Sequence, residues 1–250
     1  MQSSVFILIL LSLLGSVAGL VGGAIFLIKR EWSKVLSFYA IPFAAGVLLS
    51  VSVLHLIPEA SEQIGERAFM FTLIAFLAAF IFEKYFASLH HHEGHEGTLQ
   101  KTTIPLVIFG DTIHNFIDGV AIAAAYLTSP GLGLTLALST FLHETPHEIG
   151  DFGVLVSRGW SRKKTFIANF FSALATIPGA LVVFYLFPNA GEGSVAWLLA
   201  VAAGIFLYLG ASDFLPEVGE HDNKRDTFIK VALVVIGVFS IYFLSQILPE

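Results

Sequence analysis

Residues 5–28 read VFILILLSLLGSVAGLVGGAIFLI, a run of twenty-four positions without a charged side chain. A helix needs roughly 20 such residues to cross the hydrocarbon core of a bilayer. The run is long for the apolar part of a secretory signal, and no basic segment precedes it, so we expect a retained helix and not a cleaved leader. This stretch indicates that the chain folds in lipid, where the backbone must satisfy its own hydrogen bonds.

Seven further apolar runs follow the first. The eight predicted spans are approximately residues 5–28, 35–57, 68–86, 104–127, 132–156, 165–187, 195–215 and 227–247. Because lipid offers no hydrogen-bond partners to open strands, the runs predict an all-α, polytopic helical bundle with eight transmembrane helices. The composition agrees: 56% of the residues are hydrophobic and 13% are charged, whereas soluble domains carry about 25% charged residues.

Composition also excludes several kinds of protein. The chain has no cysteine, so disulfides and thiolate metal ligands are excluded. A net charge of −6 gives no support for nucleic-acid binding. No G-x-x-x-x-G-K-[ST] string is present, so we expect no direct coupling to ATP within this chain.

The basic residues predict the orientation. If the N-terminus lies outside, twelve of the thirteen Lys and Arg residues fall in inside loops and only Arg67 lies outside. Inside loops of membrane proteins are enriched in Lys and Arg. We therefore expect both termini outside and a cytosolic His-rich loop at about residues 87–103, in a multi-pass protein of the cell membrane, by default the inner or plasma membrane. The loop histidines would modulate metal capture; they are His90, His91, His92 and His95.

The fourth and fifth spans are unusually polar. Their polar residues are Asp111, His114, Asn115 and Asp118 in the fourth span, and His143, Glu144, His147, Glu148 and Asp151 in the fifth. An ionised side chain at mid-bilayer costs roughly 2.5–3.5 kcal/mol, so nine polar groups exposed to lipid would cost on the order of 20 kcal/mol. A bound cation would neutralise them. Two metal-free alternatives remain at this point, a buried polar network and a proton relay.

The spacing of these residues suits a shared metal site. His114 and Asp118 are four residues apart, as are His143 and His147, and such pairs stack one helical turn above each other. Pro146 removes one backbone hydrogen bond and would open the fifth helix at the site. Imidazoles with carboxylates suit Zn²⁺, Fe²⁺ or Mn²⁺ better than Mg²⁺ or Ca²⁺, which prefer oxygen cages.

Small residues follow the polar group of the fourth span and would let a neighbouring helix approach closely. They are Gly119, Ala121, Ala123, Ala124 and Ala125.

The string HETPH at residues 143–147 also matches H-E-x-x-H, the pattern of zinc metalloproteases. In this alternative reading the chain is an intramembrane zinc protease, with Glu144 as general base and two histidines holding zinc. Pro146 and the ligand-rich fourth span both weigh against it, as does the polar stripe that continues to Asp151.

The strings HNFIDG at 114–119 and HETPHEIGD at 143–151 resemble the Zrt/Irt-like (ZIP) family of divalent metal transporters. The second string is similar to the subfamily with an HExPHExGD motif. The resemblance implies that residues 1–250 form a single integral membrane transport domain and no enzyme, with its spans in a 3+2+3 arrangement. It also implies homodimers and alternating access.

The resemblance further implies a binuclear site. One metal position would use His114, Asp118, His143 and His147. The second would use Asn115, Asp118, Glu144 and His147. Thr176 stands where some relatives carry a carboxylate in the sixth span, and Leu48 stands where some carry a sulfur ligand.

Auxiliary positions complete the predicted pathway. Asp111, Glu148 and Asp151 extend the polar stripe. His55 is either an entrance ligand near the outer end of the second span or a helix cap at the interface. The predicted function is uptake into the cytosol of a divalent transition metal, which is the transported substrate: Zn²⁺ first, with iron, manganese or cadmium as further candidates.

Overall fold

The computed structural model describes residues 2–84, 103–187, 195–218 and 223–247. Across these ranges the chain is helical and contains no strand. The eleven α-helices of the described ranges are α1 Gln2–Gly15, α2 Val21–Ile28, α3 Arg30–Val51, α4 Ile57–Ile64, α5 Arg67–Phe82, α6 Thr103–Thr128, α7 Pro130–Ser157, α8 Arg162–Ala173, α9 Thr176–Leu186, α10 Ala196–Tyr208 and α11 Lys224–Ile247. The all-α prediction is therefore confirmed.

Short irregular turns join several of these helices into longer rods. A 3-10 turn, Val17–Leu20, links α1 to α2, and a π-helical turn, Ser52–Leu56, links α3 to α4. A second π-helical turn, Leu209–Phe214, extends α10. Both π turns lie just ahead of a proline, Pro58 or Pro216. Proline cannot donate the backbone hydrogen bond that would keep the helix regular, so each break has a local cause.

Five helical stretches are long and apolar enough to cross a membrane. They are Ser4–Ile28, Val35–Ile64, Val107–Thr128, Arg162–Leu186 and Lys224–Leu244. Arg67–Phe82 and Ala196–Ser212 are shorter apolar helices. The chain is thus a multi-pass membrane protein. The count of eight spans and their 3+2+3 grouping stay predictions.

Helix α7 lies at the centre of the bundle. It packs against α1, α2, α3, α6, α8 and α11. Its 28 residues would extend about 42 Å, more than the thickness of a bilayer core. It carries three acidic residues, Glu144, Glu148 and Asp151, and it continues as one helix through Pro146. Neighbouring helices, and not lipid, therefore surround much of the most polar helix.

Glycines allow the first rod to approach α7 closely. A Cβ added at Gly22 would overlap the carbonyl oxygen of Thr145, and one added at Gly19 would lie 2.7 Å from the Cβ of Glu144. Both glycines are buried. The 3-10 turn consequently lies directly on the polar segment of α7.

Glycines also set the crossing of α6 and α9. A Cβ at Gly119 would overlap the carbonyl oxygen of Thr176, and a Cβ at Gly179 would overlap the carbonyl oxygen of Phe116. The two backbones are thus in direct contact, as expected from the small residues that follow the polar group of the fourth span. This contact brings Thr176 beside that polar group.

The crossing predicts a difference between two identical substitutions in α6. Gly119→Ala should lower the melting temperature, because overpacking of a close contact costs about 1–3 kcal/mol. Gly110→Ala should be neutral or stabilising by up to about 1 kcal/mol, because a Cβ there meets nothing within 4 Å. Thermal unfolding of the two purified variants in detergent measures the difference, and equal melting temperatures would contradict the crossing.

The orientation can be tested with single cysteines, because the chain has none of its own. Glu66 lies between α4 and α5, and Lys163 lies at the start of α8; both are exposed. In intact cells, a membrane-impermeant maleimide should label the Glu66→Cys variant, whereas Lys163→Cys should react only after permeabilisation. Labelling of both variants from the same side would refute the predicted topology.

Candidate metal centre

Four ligand-type residues from two adjacent helices converge inside the bundle. His114 and Asp118 lie on α6, and His143 and Glu144 lie on α7. One ligand atom from each lies within 4.8 Å of all the others. Ligands about 2.1 Å from a common zinc ion are at most about 4.2 Å apart. A small contraction would therefore place all four around one ion. We call this group the outer cluster.

The outer cluster is close-packed but poorly hydrogen-bonded. His114 Nε2 lies 3.0 Å from Glu144 Oε1, and His143 Nε2 lies 3.3 Å from Asp118 Oδ2. These nitrogens and both carboxylates are nevertheless buried without a hydrogen bond of normal geometry. Buried polar groups left in this state are costly, at about 1–3 kcal/mol each and more when charged. A shared cation would satisfy all of them at once.

The imidazole of His143 is oriented by its own helix. Its Nδ1 lies 3.0 Å from the carbonyl oxygen of Ser139, and its ring packs against Phe206 with centroids 5.3 Å apart. When Nδ1 donates to that carbonyl, Nε2 keeps its lone pair toward Asp118 and Glu144. Histidine ligands of metals are commonly held by such a second hydrogen bond.

His147 lies at the edge of the outer cluster. Its Nδ1 is 3.7 Å from Glu144 Oε1, and its side chain is 35% exposed. Two further groups of ligand atoms, each within 4.8 Å, involve its neighbours: Asp111 with His147 and Asp151, and Asp111 with Glu144 and Glu148. The predicted auxiliary residues thus lie next to the outer cluster: Asp111 groups with Asp151 and His147, and it groups separately with Glu148 and Glu144.

Asn115 is buried, and its amide is already engaged. Its Nδ2 donates to Asp111 Oδ1 at 2.9 Å. Its Oδ1 accepts from Ser16 Oγ and, at 3.3 Å, from Thr176 Oγ1. These two hydrogen bonds would have to break before Asn115 could bind a metal through that oxygen, as the resemblance implies. Thr176 is therefore a hydrogen-bond partner of Asn115 in this structure.

Ser16 is a contributor that sequence reasoning missed. Its hydroxyl contacts the amide oxygen of Asn115 and lies 2.9 Å from the carbonyl oxygen of Ala173. It therefore joins the first rod to α6 and to the end of α8. The sequence offered only a weak indication of this role, because Ser16 is a single hydroxyl residue in the small-residue run GSVAGLVGG at 15–23.

The remaining predicted positions lie apart from these clusters. His55 falls in the π turn Ser52–Leu56 and is half-buried, with Nε2 buried and without a hydrogen bond. It belongs to none of the three groups formed by the described residues. Leu48 is fully buried. His90, His91, His92 and His95 lie outside the described residues.

Fold and site together define a class: a multi-pass helical membrane protein with a candidate metal centre inside its bundle. A family model described as "ZIP Zinc transporter" matches residues 90–245. The match covers more than half of the chain, and the chain belongs to this family. The predicted family is confirmed, whereas its assignment to the HExPHExGD subfamily stays a prediction.

Individual relatives agree with this assignment. The chain is 45% identical to zinc transporter ZIP4 of Mus musculus over 120 residues, 48% of this chain and 18% of that protein. It is 37% identical to zinc transporter ZIP10 of Homo sapiens over 160 residues, 61% of this chain and 19% of that protein. Zinc transporter zipt-7.2 of Caenorhabditis elegans is 30% identical over 148 residues, 58% of this chain and 32% of that protein. The chain thus spans a third or less of the length of each.

The hydrogen bonds of Asn115 predict the effect of an isosteric substitution. Asn115→Asp would replace the 2.9 Å donor to Asp111 with a second carboxylate, and carboxylates that share a site repel. We expect a lower melting temperature without metal and a larger rise on adding zinc than in the unaltered protein.

Asn169→Asp is the matched control. Asn169 is also buried, but it lies on α8 and its Nδ2 donates to the carbonyl oxygen of Thr165. The Asn169→Asp variant should have a lower melting temperature than the unaltered protein, and adding zinc should not restore it. Thermal unfolding with zinc and with a chelator compares the two, and equal zinc responses would refute the assignment of Asn115 to the edge of the metal centre.

Proposed function

We propose that the chain carries divalent transition-metal ions, zinc foremost, across the membrane into the cytosol. The observation that carries this proposal is the outer cluster, in which two imidazoles and two carboxylates face one another in the bundle without hydrogen bonds. The relatives support it, since they are named zinc transporters. The metal is thus the transported substrate and not a resident cofactor.

The proposed ligand set keeps the predicted residues and ranks them by their contacts. The ligands are His114, Asn115, Asp118, His143, Glu144 and His147. The four members of the outer cluster bind first, because they already lie within 4.8 Å of one another. His147 follows through its approach to Glu144, and Asn115 joins only after releasing Ser16 and Thr176.

Ligand chemistry supports both the choice of metal and its release. Imidazole and carboxylate together favour Zn²⁺, Fe²⁺, Mn²⁺ or Cd²⁺ over Mg²⁺ and Ca²⁺, which prefer oxygen ligands and, for Mg²⁺, retained water. A transport site must also let its ion leave. The absence of cysteine avoids the tightly held thiolate sites that serve structural zinc.

Entry and movement complete the proposal. A hydrated ion reaches the outer mouth, where His55 offers an unpaired imidazole nitrogen in a helix break. It then loses water stepwise, binds the outer cluster and is exposed to the cytosol by alternating access. A homodimer and an outside location for both termini are parts of the same proposal, as the resemblance implies.

The surroundings of Glu144 favour transport over proteolysis. A protease needs this carboxylate free to activate water beside the zinc. Here the carboxylate is fully buried, and Oε1 lies within 4 Å of imidazole nitrogens of His114, His143 and His147. This position supports a role for Glu144 as a ligand or a bridge between ligands, and the family assignment supports the same role.

Uptake into liposomes tests the proposal. Purified protein reconstituted with a zinc-sensitive dye inside should admit zinc, and His143→Ala should slow entry by at least about tenfold, the lower end expected when a metal site is damaged. Glu66→Gln serves as the control, because Glu66 is exposed between α4 and α5, and its uptake should match that of the unaltered protein.

Two outcomes would refute the proposal. One is unaltered uptake by the His143→Ala variant, provided that its elution profile and melting temperature show that it is folded. The other is cleavage of a membrane substrate by the unaltered protein, abolished by Glu144→Gln, with no zinc entry in the same preparation.

A further inference from the structure

We infer that the end of the bundle where α2 and α7 terminate binds the headgroup of an anionic phospholipid. Two turns meet there, at residues 29–32 and 158–164, and we call them together the basic edge. The metal centre is remote from it, since Arg158 lies about three helical turns beyond His147. Among the side chains of these turns that the structure describes, Glu31 alone is acidic, and five exposed ones are basic: Lys29, Arg158, Arg162, Lys163 and Lys164.

The two turns are neighbours because the first rod runs parallel to α7. A Cβ added at Gly15 would lie 3.2 Å from Thr140, and one added at Gly23 would lie 2.5 Å from the ring of Phe152, so the contacts advance in the same direction along both rods. The ring of Phe152 also faces Phe166 of α8, with centroids 6.3 Å apart, and α2 packs against α8. The rods therefore end side by side, at the cytosolic end in the predicted orientation.

Local hydrogen bonds give the α7–α8 turn a defined conformation. Gly159, with φ +88°, and Trp160 donate backbone hydrogen bonds to carbonyl oxygens of the last turns of α7, the usual way in which a glycine ends a helix. Ser161 then caps α8 by accepting from the backbone N–H of Lys164. The cations of this turn are thus presented from the start of a helix and not from a long loop.

The charge of the basic edge is not balanced by protein. The first turn of α8 carries Arg162, Lys163 and Lys164 with no acid, and the sequence has no Asp or Glu from residue 152 to 186. In the described part of the chain, none of the ion pairs involves a cation of the basic edge. The helix dipole opposes cations at a helix start and favours anions there. A bound anion would therefore complement both the side chains and the helix.

Two tryptophans place these cations at the level of lipid headgroups. The Nζ of Lys29 lies 4.5 Å from the ring centroid of Trp32, and the Nζ of Lys164 lies 3.8 Å from that of Trp160. Tryptophan is enriched where the hydrocarbon core meets water, and a cation above its ring is held there by the ring quadrupole. The two ammonium groups are therefore oriented beside the membrane interface.

An apolar stripe continues from the cations and favours a lipid over a soluble anion. Lys163, Ile167 and Phe171 follow at intervals of four residues on α8 and all are exposed, the last two by 43% and 67%. Eight residues of helix extend about 12 Å, enough to reach from a phosphate into the acyl region. Free phosphate would use only the cations, whereas an anionic phospholipid uses the whole face.

Quenching of tryptophan fluorescence by brominated lipids tests the inference on the full chain in nanodiscs. The chain has three tryptophans, so Trp197→Phe leaves the two of the basic edge as reporters. In a phosphatidylcholine background, phosphatidylglycerol brominated near the glycerol end of its acyl chains should reach half-maximal quenching at a lower mole fraction than brominated phosphatidylcholine. Adding Arg162→Gln and Lys163→Gln should reduce this preference by at least about fivefold, the factor expected for one basic residue at an anionic surface. Each variant is compared with its own fluorescence in unbrominated lipid.

A charge-matched control separates a site from general attraction to a charged membrane. Lys224→Gln with Arg225→Gln removes the same two charges from exposed positions at the start of α11, on the same predicted side, and should keep the preference. Equal losses in the two double variants would overturn the inference, as would an unaltered preference after Arg162→Gln and Lys163→Gln, or no preference in the parent protein. Inorganic phosphate should not restore the fluorescence beyond sodium chloride of equal ionic strength; if it does, the ligand is free phosphate and the assignment to a lipid is wrong.

Discussion

The rest of this structure depends on two buried carboxylates, Asp118 and Glu144, because their charge must be compensated inside the bundle. They lie on adjacent helices, fully buried, with imidazole nitrogens of His114 and His143 between 3.0 and 3.7 Å away. Lipid cannot solvate such groups, and an imidazole neutralises their negative charge only when it is protonated. A divalent cation would compensate them without a proton and would therefore stabilise this polar interior.

Close backbone packing makes this interior feasible. Gly19 and Gly22 bring the first rod against α7 at Glu144 and Thr145, and Gly119 and Gly179 bring α9 against α6. The polar stripe is thereby enclosed by protein, which removes much of the cost of exposing it to lipid. The same contacts deliver hydroxyls from Ser16 and Thr176 to Asn115. Small residues thus allow helices to enclose the site and to supply its outer hydrogen bonds.

The candidate ligand atoms of α6 and α7 are not confined to one group. Glu144 lies in the outer cluster and also groups with Asp111 and Glu148, and His147 lies 3.7 Å from Glu144 Oε1. The polar interior is therefore a stripe along both helices, with its acidic groups spread over several turns. Breaks at residues 17–20, 52–56 and 209–214 interrupt the rods, and the first of these breaks packs directly against Glu144.

Sequence alone determined the helical class, the approximate positions of the apolar helices and the identity of the polar helices, because hydrophobic length and the four-residue spacing of His114 with Asp118 are local properties. It did not indicate the breaks at Ser16 and within the second span, since hydropathy is unaffected when an apolar helix is interrupted. Tertiary structure alone decided that the amide oxygen of Asn115 faces Ser16 and Thr176, and that Asp111 joins His147 and Asp151. These pairings depend on how helices cross, and the crossings depend on glycine contacts between residues far apart in the chain.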